Sequence, residues 1–235
     1  LLVSAAKGLE VHSGKRMSQV MAEEIAPALR QQICVLSGPN LAKEVAQGLP
    51  AASMVAAKDI NVAERARDLM SSPEFLLFTT DDVIGVELAG ALKNIIALGA
   101  GMIDGLNLGD NAKAAFVTWS WAEVTSLGVA MGAKNGTFCG LAGLGDLIAT
   151  CASTLSRNHY VGCQLAKGRS LKEITASMAQ VAEGVNTAMA VHQIIQKLNL
   201  EPPIINLIYQ VLFENLPASE ALADFSKLTS LNVSV

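Results

Sequence analysis

The sequence predicts a sheet-containing α/β segment over residues 1–80, followed by an all-helical segment over residues 81–235. Two observations support this division. Up to residue 80, short apolar runs alternate with helical patterns, which is typical of strands covered by helices. After residue 80, apolar residues recur at helical spacing and no convincing alternation of period two occurs. The composition, with 51% hydrophobic and 16% charged residues, indicates a well-packed globular protein.

The first segment contains four predicted strands and two predicted helices. The strands cover residues 1–6, 33–36, 52–57 and 75–79, and the helices cover residues 15–30 and 63–70. Four strands with only two helices would leave one face of a sheet poorly covered. The chain also starts inside a predicted strand and without Met. We therefore expect further material before residue 1.

The second segment contains predicted helices only, over residues 83–103, 111–131, 137–150, 157–167, 171–180, 186–198, 204–213 and 218–225. Glycine or proline near several of their ends is typical of helix stops. The first of these helices is long and apolar enough to suggest a membrane span, but it contains Glu87, Lys93 and Asn94. A buried helix is therefore expected, with no membrane span.

Charge and cysteine content argue against several classes of function. The net charge is −4 and no run rich in Lys or Arg occurs, which disfavours nucleic-acid binding. The four cysteines share no metal-ligand spacing with one another or with the three histidines, so we expect no metal. Reduced, mostly buried thiols and the lack of a recognisable secretory signal predict a cytoplasmic protein.

Lys93 is the first candidate for catalysis. It lies in a predicted helix that is apolar nearly all round, and such a helix is normally buried. A lysine is disfavoured there unless it is paired or functional, and burial lowers the pKa of an ammonium group towards the range suited to proton transfer. The alternatives are a lysine whose ammonium group reaches solvent along the helix, or an ion pair with Glu87.

Asp146 follows a glycine-rich stretch, Gly143-Leu144-Gly145. The glycine spacing could be taken for part of a dinucleotide-binding loop, but no predicted strand precedes it, which disfavours that interpretation. A helix start at which glycine lets another backbone approach is the better prediction. Because Asp in a first turn also interacts favourably with the helix dipole, a purely structural role stays open.

Ser156, Arg157 and Asn158 form the predicted start of another helix. Ser156 is a good N-cap, and free N–H groups beside a guanidinium group are well suited to phosphate. Arg157 is unfavourable at a helix N-terminus by itself, and an anionic ligand would remove that conflict. The alternative is an ordinary capped surface helix.

Two turns in the first segment lie at the carboxyl ends of predicted strands, where open α/β sheets bind ligands. Lys7 follows the first strand, and Gly38 and Asn40 follow the second. Either turn alone is more often just a turn. Together with Asp146 and the helix start at Arg157, they indicate a small anionic substrate.

These motifs, in this order, resemble the NAD(P)-dependent glycerol-3-phosphate dehydrogenase family of the bacterial type. The most specific stretches are residues 87–94, 104–115, 140–150 and 155–158. The resemblance implies that residues 1–80 are the C-terminal half of a Rossmann-type NAD(P)-binding domain. Residues 81–235 would be an all-α substrate-binding and catalytic domain, like the C-terminal helical bundle of 6-phosphogluconate dehydrogenase.

The resemblance also implies roles at the matched positions. Lys93 matches the catalytic lysine, Lys7 matches a second lysine that polarises the substrate carbonyl, and Asp146 matches the acid that holds the catalytic lysine and a substrate hydroxyl. The matched substrate contacts are Lys7, Gly38, Asn40, Lys93, Asp146, Ser156, Arg157 and Asn158, and the matched cofactor contacts are Arg157, Val181 and Glu183. Asn40 departs from the Ser or Thr that is usual in bacterial members.

The implied activity interconverts sn-glycerol 3-phosphate and dihydroxyacetone phosphate with NAD or NADP, in a cytoplasmic homodimer that supplies phospholipid synthesis. The strand–Gly-x-Gly-x-x-Gly–helix unit that opens the family's Rossmann domain is not in this sequence. Because the pyrophosphate binds at that turn, we expect this chain alone to bind NAD(P)H poorly and to be inactive. The preference between NAD and NADP is not predicted.

Two other functions stay open. One is a truncated, non-catalytic helical module that serves in dimerisation, and the other is a related dehydrogenase of the same architecture, acting on a hydroxyacid or on phosphogluconate. Retention of the matched residues disfavours the first. The stretches 87–94 and 155–158 disfavour the second.

Overall fold

The computed structural model of the chain describes residues 1–153 and 156–223. The described residues form two compact units. One unit contains Leu1–Ala91 and Thr125–Ala149, and the other contains Leu92–Val124 and the residues from Thr150 onward.

The four predicted strands are present and form one sheet in the first unit. They are β1 (Leu2–Ser4), β2 (Ile33–Ser37), β3 (Ala51–Ala56) and β4 (Phe75–Thr80), and they lie in that order across the sheet. The pairs β1–β2 and β3–β4 are parallel, whereas β2 and β3 are antiparallel. The sheet is therefore mixed. The connection between β2 and β3, residues 38–50, contains one helix of only five residues. Parallel strands are usually joined by a longer crossover helix, whereas a short connection suffices for antiparallel ones.

Alternate residues of the strands pack against helices on the two faces of the sheet. On one face, Cys34, Val55 and Leu77 contact helix α3 (Ile60–Met70), which begins at the N-cap Asp59. On the other face, Val35 and Ala56 contact the first turns of helix α4 (Val83–Gly105) and Ala142. The later segment thus supplies cover that residues 1–80 lack. The edge strand β4 keeps two large side chains about half exposed, Leu76 and Phe78.

The prediction of one helix over residues 15–30 was wrong. The chain forms α1 (Met17–Glu24) and then a separate 3₁₀ helix over Pro27–Gln32. Between them, Ile25 is extended and Ala26 is not helical (φ −55°, ψ 137°). Pro27 explains the break, because proline disfavours helical backbone in the residue before it and can itself occupy only a first helical turn. A five-residue helix, α2 (Ala42–Ala46), was also missed, since it is too short to show a helical period.

The prediction of one helix over residues 137–150 was wrong as well. The segment consists of α6 (Asn135–Phe138), one π-helical turn (Leu141–Gly145) and α7 (Asp146–Ala152). Gly143 lies so close to the preceding segment that an added Cβ would sit 2.6 Å from the carbonyl carbon of Phe138. This close approach interrupts the regular helix, and Asp146 becomes the first residue of α7.

The remaining helices confirm the all-helical prediction, with ends shifted by a few residues. They are α5 (Asp110–Ala130), α8 (Arg157–Ala166), α9 (Leu171–Ala176), α10 (Glu183–Leu198), α11 (Pro203–Phe213) and α12 (Ala218–Ala223). The last two residues predicted in helix 218–225 lie outside the described residues.

Helix α4 is the one described helix that is long and apolar enough to cross a membrane by these two criteria alone. Its most apolar window is 94% buried inside the protein. In the second unit, α8 crosses α4 where Gly162 lies against the backbone of Leu98 and Met102. A buried helix that other helices cross in this way belongs to the core of the fold, as the sequence predicted.

Candidate functional site

Four of the predicted site residues meet in the first unit, around the ammonium group of Lys7. Its Nζ atom donates hydrogen bonds to the carbonyl oxygen of Gly38 (3.0 Å), to Oδ1 of Asn40 (3.0 Å) and to Oδ2 of Asp146 (2.8 Å). The Lys7 side chain is 20% exposed and the Asp146 side chain 3% exposed. The cluster is a largely buried ion pair with one cationic group still within reach of a ligand.

The sheet explains why Lys7 meets Gly38 and Asn40. Strands β1 and β2 are parallel neighbours, so the turns after their carboxyl ends lie side by side. The sequence pattern anticipated this juxtaposition of two strand ends. Asp146 arrives from a distant part of the chain, at the start of α7, where the dipole of the helix favours its negative charge.

Ser53 belongs to the same cluster and was missed by the sequence analysis. It is fully buried in β3, and its Oγ accepts a hydrogen bond of 3.3 Å from Nδ2 of Asn40. Gly38 packs against it so closely that an added Cβ would sit 2.8 Å from the Cα of Ser53. A serine inside an apolar strand carries no local signal of this contact. The antiparallel pairing of β2 and β3 creates it.

Glu87 has partners other than the lysine with which the sequence suggested an ion pair. Its carboxylate accepts hydrogen bonds from Nη1 of Arg16 (2.5 Å), from the backbone N–H of Ser18 (2.7 Å) and from Oγ of Ser18 (2.6 Å). Glu87 is itself buried. It therefore anchors the start of α1 to α4 within the first unit.

Lys93 is buried in the second unit, with 4% of its surface exposed. The alternative in which its ammonium group reaches solvent along the helix is thus wrong. Nζ of Lys93 donates a short hydrogen bond to Oγ1 of Thr150, which is itself buried. Thr150 was also missed from the sequence, because an isolated threonine in a helix more often bonds its own backbone than a distant lysine.

The predicted helix start at Ser156 is confirmed. Ser156 is the N-cap of α8 and accepts a hydrogen bond of 3.2 Å from the backbone N–H of His159. Arg157, in the first turn, is exposed, whereas Ser156 and Asn158 are buried. An exposed guanidinium group beside a helix N-terminus can receive an anion. The preceding residues Thr154 and Leu155, part of the motif seen in the sequence, lie outside the described residues.

The segment with the matched cofactor contacts is accessible to a ligand. Val181 is 59% exposed and Glu183, the first residue of α10, is exposed. A groove of about 230 Å³ runs beside them, lined by Thr175, Met178, Ala179, Gln180, Val181, Ala182, Val185 and Asn186. The groove offers apolar and amide side chains to a ligand, and the exposed Arg157 of the same unit offers a cation. Among residues 1–153 and 156–223, no group of three or more His, Cys, Asp or Glu side chains could hold a metal ion.

Two family models match the chain. The model of the NAD-dependent glycerol-3-phosphate dehydrogenase N-terminus matches residues 1–63, and that of the C-terminus matches residues 82–223. Curated relatives named glycerol-3-phosphate dehydrogenase [NAD(P)+] include one from Dehalococcoides mccartyi, which is 54% identical over 94% of this chain. Another, from Listeria monocytogenes, is 50% identical over 94% of this chain. The chain spans 62% and 66% of these two proteins, respectively.

Solved structures agree with these matches. The glycerol-3-phosphate dehydrogenase of Coxiella burnetii superposes with a TM-score of 0.89 at 36% identity, covering 96% of this chain and 68% of that one. The corresponding protein of Saccharomyces cerevisiae superposes with a TM-score of 0.81 at 29% identity, covering 94% of this chain and 67% of that one.

Proposed function

Because the chain belongs to the NAD-dependent glycerol-3-phosphate dehydrogenase family, we propose that the protein interconverts sn-glycerol 3-phosphate and dihydroxyacetone phosphate, with NAD or NADP as cofactor. The observation that carries the proposal is the burial of Lys93 in an apolar helix. A buried ammonium group is costly for folding, and a lysine in such surroundings is suited to moving a proton.

In the proposed reaction, Lys93 gives a proton to the oxygen of the substrate as the ketone is reduced to the alcohol. NAD(P)H, when bound, supplies the hydride that the substrate carbon receives. In the reverse direction, Lys93 takes the proton from the hydroxyl group. Its hydrogen bond to Thr150 supports this role, because it holds the ammonium group in one orientation.

The Lys7 cluster supports a second part of the proposal. A cation beside the carbonyl oxygen stabilises the negative charge that develops on it during reduction. The contacts of Lys7 with Gly38, Asn40 and Asp146 hold its ammonium group in place before substrate arrives. We assign substrate contacts to Lys7, Gly38, Asn40 and Asp146, of which Asp146 also positions Lys7.

The start of α8 supports the choice of a phosphate-bearing substrate. Ser156 caps the helix, and Arg157 stands exposed in its first turn, where an anion would offset its unfavourable position. We assign Ser156, Arg157 and Asn158 to the phosphate group. Arg157, Val181 and Glu183 would hold the cofactor.

We also propose that residues 1–80 and 81–235 correspond to the dinucleotide-binding and substrate-binding parts. The family resemblance further suggests a cytoplasmic homodimer.

The test is an assay of the protein as its gene encodes it. Purified protein is mixed with dihydroxyacetone phosphate and either NADH or NADPH, and loss of the reduced nicotinamide is followed by absorbance. 6-Phosphogluconate with NAD or NADP serves as the competing substrate. We expect the unaltered protein to turn over dihydroxyacetone phosphate and the Lys93→Ala variant to be inactive. Turnover of 6-phosphogluconate alone, or near-normal turnover by Lys93→Ala, would overturn the proposal.

A further inference from the structure

The side-chain amide of Asn158 connects three helices of the second unit. Its Nδ2 donates a hydrogen bond of 3.0 Å to Oδ1 of Asn94 in α4, and its Oδ1 accepts one of 2.9 Å from the backbone N–H of Gly184 in α10. Asn94 and Asn158 are 6% and 8% exposed, and Gly184 is buried. Because the amide is removed from water, breaking either hydrogen bond leaves a buried polar group to be satisfied in another way.

Gly184 fits against this junction with no space to spare. A Cβ added to it would sit 2.6 Å from the carbonyl oxygen of Asn94 and 2.9 Å from Oδ1 of Asn158. The first of these neighbours is backbone in the middle of α4, which cannot move aside alone. The start of α10 is therefore held against α4 and α8 by direct contact as well as by the hydrogen bond.

Each member of the junction is the chain neighbour of a residue with a proposed role. Asn94 follows Lys93, Asn158 follows Arg157, and Gly184 follows Glu183. We propose that Asn94, Asn158 and Gly184 form a positioning relay, which couples binding of the substrate phosphate at the start of α8 to binding of the cofactor at the start of α10. This inference rests on the proposed function, and it assigns a coupling between two ligands that the proposed function does not require.

The physical basis is that the two ligands bind at the starts of α8 and α10, and the side-chain amide of Asn158 joins these two helix starts. An anion at the start of α8 orders Asn158, and Asn158 in turn orders the N–H of Gly184 and with it the segment that carries Val181 and Glu183. Coupling of this kind is reciprocal, so the cofactor must raise the affinity for the phosphate ligand by the same factor. We expect a factor of about five or more, the lower end of such coupling in proteins.

The experiment measures this factor in the protein as its gene encodes it. sn-Glycerol 3-phosphate and NADH are both reduced, so they bind together without reacting. Calorimetry gives the dissociation constant of sn-glycerol 3-phosphate with and without saturating NADH, and of NADH with and without sn-glycerol 3-phosphate. In the unaltered protein, each ligand should lower the dissociation constant of the other.

Gly184→Ala should reduce the coupling factor towards one, because the added methyl group pushes α10 from the junction. Asn94→Ala, which removes the acceptor without adding atoms, should act in the same direction and serves if Gly184→Ala does not fold. Ala188→Gly is the matched control, since it destabilises α10 one turn further on without touching the junction. It should lower the melting temperature and leave the coupling factor unchanged.

Failure of the relay can be told apart from failure of the proposed function. If the unaltered protein binds neither ligand, the proposed function fails and the relay with it. If it binds both without coupling, or if folded Gly184→Ala keeps the full coupling factor, the relay is wrong and the proposed function stands.

Discussion

The ammonium group of Lys7 lies 2.8 Å from the carboxylate of Asp146, although 139 positions separate the two residues in the sequence. Both side chains are largely withdrawn from water. Removing one member of such a pair is costly, because it leaves the opposite charge buried with less compensation. Its two members therefore depend on each other more than surface pairs do.

Asp146→Asn should lower kcat/KM for dihydroxyacetone phosphate by about 100-fold, because the amide no longer fixes the charged Lys7. Lys7→Met should have an effect of similar size, and the double variant should lose much less than the two single losses combined. Steady-state kinetics measures all three. Asp81→Asn, which removes an exposed pair with Lys134, is the control and should change little. Additive losses in the double variant would contradict the dependence.

Lys93→Ala should reduce kcat by about 100-fold or more, since the proposed proton donor is removed from the chemical step. The affinity for sn-glycerol 3-phosphate, measured by calorimetry, should stay within a few-fold of the original. The exposed Lys172, on α9, offers a matched control for removal of one positive charge. A variant at Lys93 that loses affinity but keeps its turnover rate would assign this lysine to binding rather than proton transfer.

Gly162→Ala should destabilise the second unit strongly. The added methyl group would overlap the carbonyl oxygen of Leu98 and lie 2.9 Å from the backbone nitrogen of Met102, so α8 must move away from α4. A loss of about 3 kcal/mol in the free energy of unfolding is expected from overpacking of this kind. Urea unfolding followed by circular dichroism provides the measurement.

The matched control is Gly136→Ala, at a helical position where an added Cβ meets nothing within 4 Å. There the substitution should stabilise the protein by about 0.5–1 kcal/mol, because alanine loses less backbone freedom on folding than glycine. Equal effects at the two glycines would show that the close crossing of α4 and α8 does not limit stability.

Glu123 should make stability depend on pH. Burial raises the pKa of its carboxyl group to about 7 from 4.5, against the opposing effect of hydrogen bonds from the backbone N–H groups of Ile204 and Ile205. Between pH 4.5 and about pH 7, the folded protein therefore retains a proton that the unfolded chain has lost. The stabilising contribution is complete below pH 4.5 and is lost as the pH rises to about 7. The loss should amount to about 3 kcal/mol.

Glu123→Gln removes this titration while keeping the size of the side chain. Free energies of unfolding are measured across the same pH range for both proteins, and the difference between them isolates residue 123. As the pH rises, the free energy of unfolding of the variant should increase relative to that of the original protein. A difference that does not change with pH would mean that Glu123 titrates normally in the folded state.

The strands and most helices could be predicted from the sequence because each depends on periodicity within one short segment. The same applies to Ser156, whose capping role is local to α8. The errors over residues 15–30 and 137–150 arose where a local interruption cuts an apolar pattern. Pro27 is a local signal of the first interruption, but the apolar periodicity around it was given more weight. The packing of Gly143 on Phe138 has no local signal in the sequence.

Within the candidate site, the sequence by itself determined which residues carry reactive or charged groups, and that Lys7 and Asn40 follow neighbouring strands. Only the tertiary structure decided the partners. It joined Lys7 to Asp146, Lys93 to Thr150, and Asn158 to Asn94 and Gly184. Capping, helical period and strand ends are local and can be read over a few residues. Which buried charge or amide meets which depends on how distant segments pack, and no local pattern records that.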